Sequence, residues 1–262
     1  MSKNSQHWAL ILGGSQGLGL ATAQKLAKHG YHLVIVHRDR RTDLEPIQKA
    51  FDTLKSHEIE VKSFNVDALN PDKRSDTIIK IQEELPKGHK IKVVVHSIAK
   101  GSLKPMYADV GTTLSNQDFK ITLDAMALSL YDWTKSLANS HLLAADTRIV
   151  AFTSEGNTKA IPNYGAVSVA KVALEALVRN IALEFAPIGI KANCIQAGIT
   201  VTKSFEMIPG HEKIQSNALE RNPNKRLTTP KDVADVVYLL TLDEAQWITG
   251  TTIKVDGGES LR

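Results

Sequence analysis

The sequence predicts an α/β fold in which helices cover both faces of one doubly wound parallel sheet of seven strands. Two observations predict this fold. Short apolar runs, several of them rich in β-branched residues, alternate with segments of helical periodicity along the 262 residues. Strands flanked by helical segments on this scale are typical of a parallel sheet with helices on both faces. The chain length suits one domain over residues 1–262, and no repeat, low-complexity tract or linker divides it.

The seven predicted strands are, in chain order, WALILGG, YHLVIVHR, EVKSFNV, IKVVVHSIA, DTRIVAFTS, IKANCIQAG and GTTIKVDGG. A first helix is predicted over about residues 17–29 and stops at Gly30. A polar amphipathic stretch follows the second strand at about residues 43–57. Two further helices are predicted over the segments TLDAMALSLYDWTKSLANS and NYGAVSVAKVALEALVRNIALEFA.

Residues 200–227, after the sixth strand, form the least regular segment. It contains Pro209, Gly210 and Pro223 and has no clear strand signal. Irregular segments of this length are either plain surface excursions or mobile lids over a site, and both interpretations stand at this point.

Composition and charge exclude several classes of protein. The formal net charge is +4, but its basic residues are scattered and form no stripe with aromatic residues, so no nucleic-acid partner is expected. The single cysteine, Cys194, excludes an internal disulfide framework and is interpreted as a small core residue. No apolar run reaches the length of a membrane span and the N-terminus lacks the apolar region of a signal peptide, so we expect a cytoplasmic protein with no membrane partner.

A glycine-rich turn lies where the first predicted strand meets the first helix. In GGSQGLG, Gly13, Gly17 and Gly19 form the pattern G-x-x-x-G-x-G. Glycine lets the backbone turn sharply and approach a pyrophosphate, and the helix N-terminus offers free N–H groups to it. The position predicts a Rossmann-type dinucleotide site, to which Ser15, Gln16 and Leu18 also belong.

Two hydrolytic motifs overlap these segments. GGSQG also matches the nucleophile elbow G-x-S-x-G with Ser15 as nucleophile, but no histidine lies in a recognisable partner motif and Gly19 stays unexplained. SVAK, at 168–171, matches the S-x-x-K of acyl-enzymes, whose companion S-D-N and K-T-G motifs are absent. We interpret the second match as accidental.

Several motifs together resemble those of the short-chain dehydrogenase/reductase family, from Trp8 to the C-terminal ITGTTIKVDGGES. Within that family the chain is similar to the enoyl-acyl-carrier-protein reductases, in particular to their third subclass. HSIA, at 96–99, stands where most members have Asn-Asn-Ala-Gly and looks like the enoyl-reductase form. The resemblance implies that Ser97, Ile98 and Ala99 contact the cofactor.

Tyr164 and Lys171 lie seven positions apart in YGAVSVAK, whereas most of the family has four. Seven residues are just under two helical turns, so both side chains project from one face. The resemblance implies that Tyr164 donates a hydrogen bond to the substrate oxygen and that Lys171 binds the nicotinamide ribose. Ser154, ten positions before Tyr164, stands where ketone-reducing relatives have a catalytic serine. We interpret it as a catalytic residue, the alternative being a strand-end cap. Met126 replaces the family's helix asparagine.

The resemblance also assigns cofactor contacts to two further segments. In FNVD, Asn65, Val66 and Asp67 occupy the place of the adenine contact, which stays open between Asn65 and Asp67. In AGITVT, Ala197 replaces a family proline, and the segment implies a carboxamide site formed by Ala197, Gly198, Thr200 and Thr202.

The end of the second strand, VIVHRDRR, indicates the cofactor. A carboxylate there would favour NAD, whereas a basic residue complements a 2′-phosphate. His37 and Arg38 occupy the place, and Asp39 lies past it. The pattern predicts NADPH, with Arg38 as the main phosphate ligand; a solvated basic loop is the alternative.

The sequence therefore predicts NADPH-dependent reduction of trans-2-enoyl thioesters, with no metal. The alternatives are a ketone or aldehyde reductase of the same family, which Ser154 favours and Val167 opposes, and an NADPH-binding sensor without turnover. The resemblance implies an acyl-carrier protein, or a coenzyme A analogue, as the source of the acyl chain, and a homotetramer. Residues 200–227 then become the predicted lid over that chain.

Overall fold

A computed structural model describes residues 7–262 as one α/β unit. The strands are β1 (His7–Leu12), β2 (His32–His37), β3 (Val61–Asn65), β4 (Lys90–His96), β5 (Leu143–Ser154), β6 (Ile190–Ala197) and β7 (Thr252–Val255). They pair in parallel in the order β3-β2-β1-β4-β5-β6-β7. The predicted doubly wound sheet of seven strands is confirmed.

The helices are α1 (Gly17–Lys28), α2 (Leu44–Lys55), α3 (Pro71–Glu84), α4 (Asn116–Leu123), α5 (Ser129–Asn139), α6 (Gly165–Glu184), α7 (Lys203–Glu206), α8 (His211–Arg221) and α9 (Pro230–Leu239). Helix α1 ends one residue before the predicted segment does, and α2 begins one residue later and ends two residues earlier than predicted. The prediction of one helix over TLDAMALSLYDWTKSLANS is wrong in one respect, because a π-helical turn, Asp124–Leu128, separates α4 from α5. Such turns are frequent at functional sites.

The core lies on both faces of the sheet because side chains alternate along each strand. In β1, Trp8, Leu10 and Leu12 pack into the core layer that is covered by α3, α5 and α6. Ala9 and Ile11 point the other way, into the layer beneath α1, α2 and α9. All five are fully buried, which explains why the strand is apolar at every position.

The strand order creates a crevice at the carboxyl edge of the sheet. The chain leaves β1 between β2 and β4, and the crossovers on the two sides run in opposite directions. Ligands bind α/β sheets outside the carboxyl ends of the strands at such a switch point. The segments that follow β1, β2, β4, β5 and β6, where the sequence places its candidate residues, meet at this edge.

Residues 200–227 are more regular than expected, since they contain α7 and α8. Gly210, between the two helices, has a φ of 76°, and this left-handed conformation suits glycine. The segment stays a predicted lid. Across residues 7–262, no helix has the length and apolar character needed to cross a membrane.

Candidate functional site

The glycine turn is shaped by contacts that leave no room for a side chain. A Cβ on Gly19 would lie 2.1 Å from the carbonyl oxygen of Gly13. One on Gly13, whose φ is 86°, would lie 2.5 Å from the carbonyl oxygen of Ser97. The turn therefore brings the start of α1 close to the ends of β1 and β4. The side chain of Gln16 does not cap α1, so the first N–H groups of the helix remain available to an anion.

One large cleft, of about 1250 Å³, runs along the carboxyl edge. It brings together nearly all the residues predicted from the sequence. Those that line it are Gly13, Ser15, Gln16, Gly17, Leu18, His37, Arg38, Val66, Asp67, Ser97, Ile98, Ala99, Ser154, Tyr164, Lys171, Ala197, Gly198, Thr200 and Thr202. Gly19 supports the turn from behind and does not line the cleft.

Asn65 does not line the cleft, and its assignment as a cofactor-binding residue stays a prediction. Its side chain donates to the carbonyl oxygen of Asp39 at 3.1 Å and accepts from the Asp39 N–H at 2.9 Å. It lines a separate groove beside α2 instead. Of the two residues that the sequence left open for the adenine contact, Asp67 is the one that lines the cleft.

Tyr164 and Lys171 meet the end of β5 from the start of α6. Tyr164 directly precedes α6, and its hydroxyl lies 3.3 Å from Ser154 Oγ, within hydrogen-bonding distance. Lys171 Nζ donates to the carbonyl oxygen of Phe152 at 2.7 Å. The seven-residue spacing thus places a phenol and an ammonium two residues apart along one strand, both on the cleft.

Burial controls the charges of this pair. It raises the pKa of Tyr164, an effect that the Ser154 hydrogen bond opposes, so the phenol is protonated at neutral pH. Burial lowers the pKa of Lys171 to about 8, against the opposing influence of Cys194 and Glu175. Lys171 is therefore an ammonium at neutral pH, held where its charge is poorly solvated. The arrangement can donate a hydrogen bond and stabilise negative charge nearby.

Comparisons with known proteins decide the family. The family model described as enoyl-(acyl carrier protein) reductase matches residues 13–260. A 1-cyclohexenylcarbonyl-CoA reductase of Streptomyces collinus is 30% identical over 255 residues, which are 97% of this chain and 86% of that protein. An NADPH-dependent aldehyde reductase-like chloroplastic protein of Arabidopsis thaliana is 29% identical over 95% of this chain and 93% of its own.

The chain belongs to the short-chain dehydrogenase/reductase family. It is therefore an oxidoreductase that uses NAD(H) or NADP(H). Its fold is shared with the enoyl-[acyl-carrier-protein] reductase (NADH) of Aquifex aeolicus, with a TM-score of 0.85, 24% identity and coverage of 99% and 98% of the two chains.

The cleft of this short-chain dehydrogenase/reductase fits a nicotinamide dinucleotide. Arg38 follows β2 and Ser154 ends β5, three strands away in the sheet. Adjacent strands lie about 4.8 Å apart, so the two ends of the site are separated by roughly 14 Å, with the glycine turn between them. This span suits a ligand with a phosphate bridge in its middle.

The end of the cleft beside β2 carries an ion pair and a histidine–carboxylate contact. Arg38 Nη1 donates to Asp67 Oδ2 at 2.7 Å, and its side chain is 62% exposed. His37 Nδ1 lies 2.8 Å from Asp39 Oδ2, and Asp39 lines the cleft although the sequence put it past the site. Its entry into the cleft depends on the turn after β2, and no sequence signal specifies that turn.

The segment after β6 carries the residues that the sequence predicts to bind the carboxamide, and they line the other end of the cleft. Thr200 Oγ1 donates to the carbonyl oxygen of Gly198 at 2.9 Å. The Thr202 hydroxyl caps α7 by accepting from the Phe205 N–H at 3.2 Å, and the residue also lines the cleft. Thr202 thus has a structural role as a helix cap, and its role in binding stays a prediction.

His96 is a buried cleft residue that the sequence identified only as part of HSIA. Its Nε2 lies 2.8 Å from Ser129 Oγ, whose own hydrogen is donated to the carbonyl oxygen of Ala125. Nε2 is thus the donor to Ser129. Burial, together with the charge of Lys171, lowers the pKa of His96 to about 3, so it is neutral at neutral pH. The partner Ser129 is 33 residues away in the sequence, where no short motif connects them.

Apolar residues replace two polar positions typical of the family. Met126, in the π-helical turn, packs with Val167 and Ala170 against Tyr164. Val167 is 3% exposed, so the position that holds the tyrosine in most relatives is part of an apolar wall. Further apolar residues continue this wall toward α8: Leu103, Ile161, Phe205, Met207, Ile208 and Ile214. Within residues 7–262, no group of histidine, cysteine or acidic residues has the arrangement of a metal site.

Proposed function

We propose that this oxidoreductase uses NADPH to reduce the carbon–carbon double bond of trans-2-enoyl thioesters. The single observation that carries the proposal is the position of the Tyr164 hydroxyl, 3.3 Å from Ser154 Oγ, while Val167 lies in an apolar wall. A thioester reduced at its β-carbon has its carbonyl farther from that carbon than a ketone has, and the seven-residue spacing moves the donor accordingly. The matching family model and the Streptomyces collinus acyl-CoA reductase support the substrate class.

The chain's own groups act on the thioester oxygen, while bound NADPH supplies the hydride. Negative charge develops on that oxygen as the double bond is reduced. The protonated phenol of Tyr164 donates a hydrogen bond to it, an interaction worth about 2.7–4 kcal/mol for comparable donors. Lys171 holds the ribose and adds positive charge, and Ser154 orients the phenol. The apolar wall from Met126 to Ile208 holds the acyl chain and excludes water.

NADPH is proposed because Arg38 has donors to spare. A guanidinium carries five N–H donors, and one of them binds Asp67. The remaining donors face an exposed surface of the cleft where a 2′-phosphate can be bound through charge-assisted hydrogen bonds.

An acyl-carrier protein, or coenzyme A, is the proposed source of the acyl chain. Lys100 and Lys203 line the cleft and are exposed, which suits a carrier with a phosphate group or an acidic surface. Arg226, in the same segment, binds both oxygens of Asp232 and is less available.

We also propose a homotetramer, for which Val169 and Val172, both about half exposed on α6, offer an apolar face.

A second candidate, a carbonyl reductase, is favoured by Ser154 and by the similarity to the Arabidopsis thaliana aldehyde reductase-like protein. One assay separates the functions. NADPH oxidation is followed with crotonyl thioesters of coenzyme A and of acyl-carrier protein, with a panel of ketones and aldehydes, and without substrate. A titration of NADPH binding accompanies it. Turnover of the crotonyl thioesters is expected; turnover of the carbonyl compounds alone, or binding without any turnover, would reject the proposal.

A further inference from the structure

The carboxylate of Glu175, one helical turn beyond Lys171, accepts hydrogen bonds from residues on both sides of Ser154. Glu175 Oε1 accepts from Thr153 Oγ1 at 2.6 Å, and the same oxygen accepts from Asn157 Nδ2. Thr153 directly precedes Ser154, and Asn157 follows it by three residues. One oxygen atom on α6 therefore fixes both sides of the Ser154 segment relative to the helix that carries Lys171.

We propose that Glu175 is a positioning residue of the active site, which holds Ser154 in place and provides the counter-charge for Lys171. The inference rests on the proposed roles of Ser154 and Lys171. It adds a residue to which neither the cleft nor any motif points, because Glu175 does not line the cleft.

The charge part of the inference follows from the groups that face Lys171. His96, from β4, is neutral because burial keeps its pKa at about 3. Cys194, from β6, is a neutral thiol because burial raises its pKa to about 12. Glu175 lies four residues after Lys171 on the same helix, where side chains are neighbours, and its carboxylate favours the ammonium form of Lys171. Within residues 7–262, Glu175 is therefore the group that supplies a negative charge to Lys171 at neutral pH.

The positioning part follows from burial. Thr153 is 4% exposed, so its hydroxyl depends on a protein partner and Glu175 provides one. Without that acceptor, Thr153 and Asn157 lose their hydrogen bonds to α6. Ser154, which lies between them, then loses its fixed distance to Tyr164.

Two substitutions separate charge from position. Glu175→Gln keeps an oxygen that accepts from Thr153 and Asn157 but removes the charge, whereas Glu175→Ala removes both. Glu184→Gln, at an exposed position of the same helix, is the matched control. For each variant we measure kcat against pH with crotonyl thioester and, without substrate, the NADPH dissociation constant against pH, together with thermal unfolding.

The active form needs the ammonium, so activity and NADPH affinity fall as pH rises through the pKa of Lys171. With Glu175→Gln this alkaline decline is expected to move to lower pH by about half a unit or more, with kcat at lower pH close to wild type. Glu175→Ala is expected to show the same move and also at least a tenfold lower kcat at all pH values, and Ser154→Ala is expected to lower kcat to a similar extent.

Several results would overturn the inference. One is an unchanged alkaline decline in Glu175→Gln; another is an equal move in Glu184→Gln. A third is a folded Glu175→Ala variant with wild-type kcat. Because the NADPH titration needs no substrate, failure of the wild-type protein to reduce enoyl thioesters leaves the charge part testable and counts against the proposed function instead.

Discussion

At the scale of single residues, the proposed chemistry depends on a phenol that stays protonated. Burial raises the pKa of Tyr164 and the structure places its hydroxyl beside Ser154, so the proton is available for donation. We predict that Tyr164→Phe lowers kcat by about 10²–10³-fold and leaves the NADPH dissociation constant unchanged, because the phenyl ring keeps the packing. Steady-state kinetics and a binding titration test this. Tyr107→Phe, at an 80% exposed tyrosine, is the control. An unchanged kcat would remove Tyr164 from the chemistry.

Arg38 is the residue proposed to select the cofactor. Its guanidinium binds Asp67 and is otherwise exposed, so its loss costs the protein little stability. We predict that Arg38→Ala raises KM for NADPH about tenfold or more and that for NADH much less, because a hydrogen bond to a charged group is worth about 1.5–3 kcal/mol. Arg41→Ala, a neighbouring arginine outside the cleft, is the control. Equal effects on both cofactors would show that Arg38 does not bind the 2′-phosphate.

At the scale of elements, α8 is tied to the rest of the molecule by charged contacts at its end. Arg221 Nη2 donates to Glu155 Oε2 at 3.0 Å and to Glu259 Oε1 at 3.1 Å. Glu155 follows Ser154 directly, and the side chain of Glu259 is 3% exposed. Arg221 is therefore one of the contacts that orient the predicted lid, and its removal leaves a buried carboxylate without its ion pair.

We predict that Arg221→Ala loosens α8 and raises KM for long-chain enoyl thioesters more than for crotonyl thioester, since α8 carries Ile214 of the apolar wall that is proposed to hold the acyl chain. Removing one partner of a buried pair costs about 3–5 kcal/mol, and the partial exposure of Arg221 puts the expected loss at or below the lower end. Hydrogen exchange across residues 203–227 is expected to speed up. Arg226→Ala, which breaks the exposed pair with Asp232, should change neither quantity by much; equal effects of both variants would contradict the prediction.

Elements also show which parts of the fold local sequence can predict. The strands were predictable because the centres of β1 and β4, residues 8–12 and 93–95, are apolar and buried on both faces. The π-helical turn at Asp124–Leu128 was not, because its residues have ordinary helical propensity and its packing against α6 is a contact that no local pattern records. The choice between Asn65 and Asp67 depends on contacts with Asp39, 26 residues earlier than Asn65, which no local pattern records.

At the scale of the whole molecule, the buried His96 links the active-site cleft to the stability of the fold. The pKa of His96 is about 3 in the folded chain and 6.5 for an unperturbed histidine, so the unfolded chain binds the extra proton between these values. Stability from this residue is complete above about pH 6.5 and is lost progressively as the pH falls toward 3. At pH 4.5, two units below the unperturbed pKa, we expect a loss on the order of 2–3 kcal/mol in the free energy of unfolding.

His96→Gln tests this prediction, because an amide can still donate to Ser129 but does not titrate. Urea unfolding at pH 7.5 and at pH 4.5 gives the loss of stability for each protein, and the loss is expected to be about 2–3 kcal/mol smaller in His96→Gln than in the wild type. Carboxylates with lowered pKa values, such as Asp146, destabilise both proteins alike at acid pH and cancel in the difference. His57→Gln, at an exposed position, should lose as much stability as the wild type. If His96→Gln also lost as much stability as the wild type, His96 of the folded wild-type protein would have to accept a proton at pH 4.5. That result would exclude a neutral imidazole beside Lys171 at this pH.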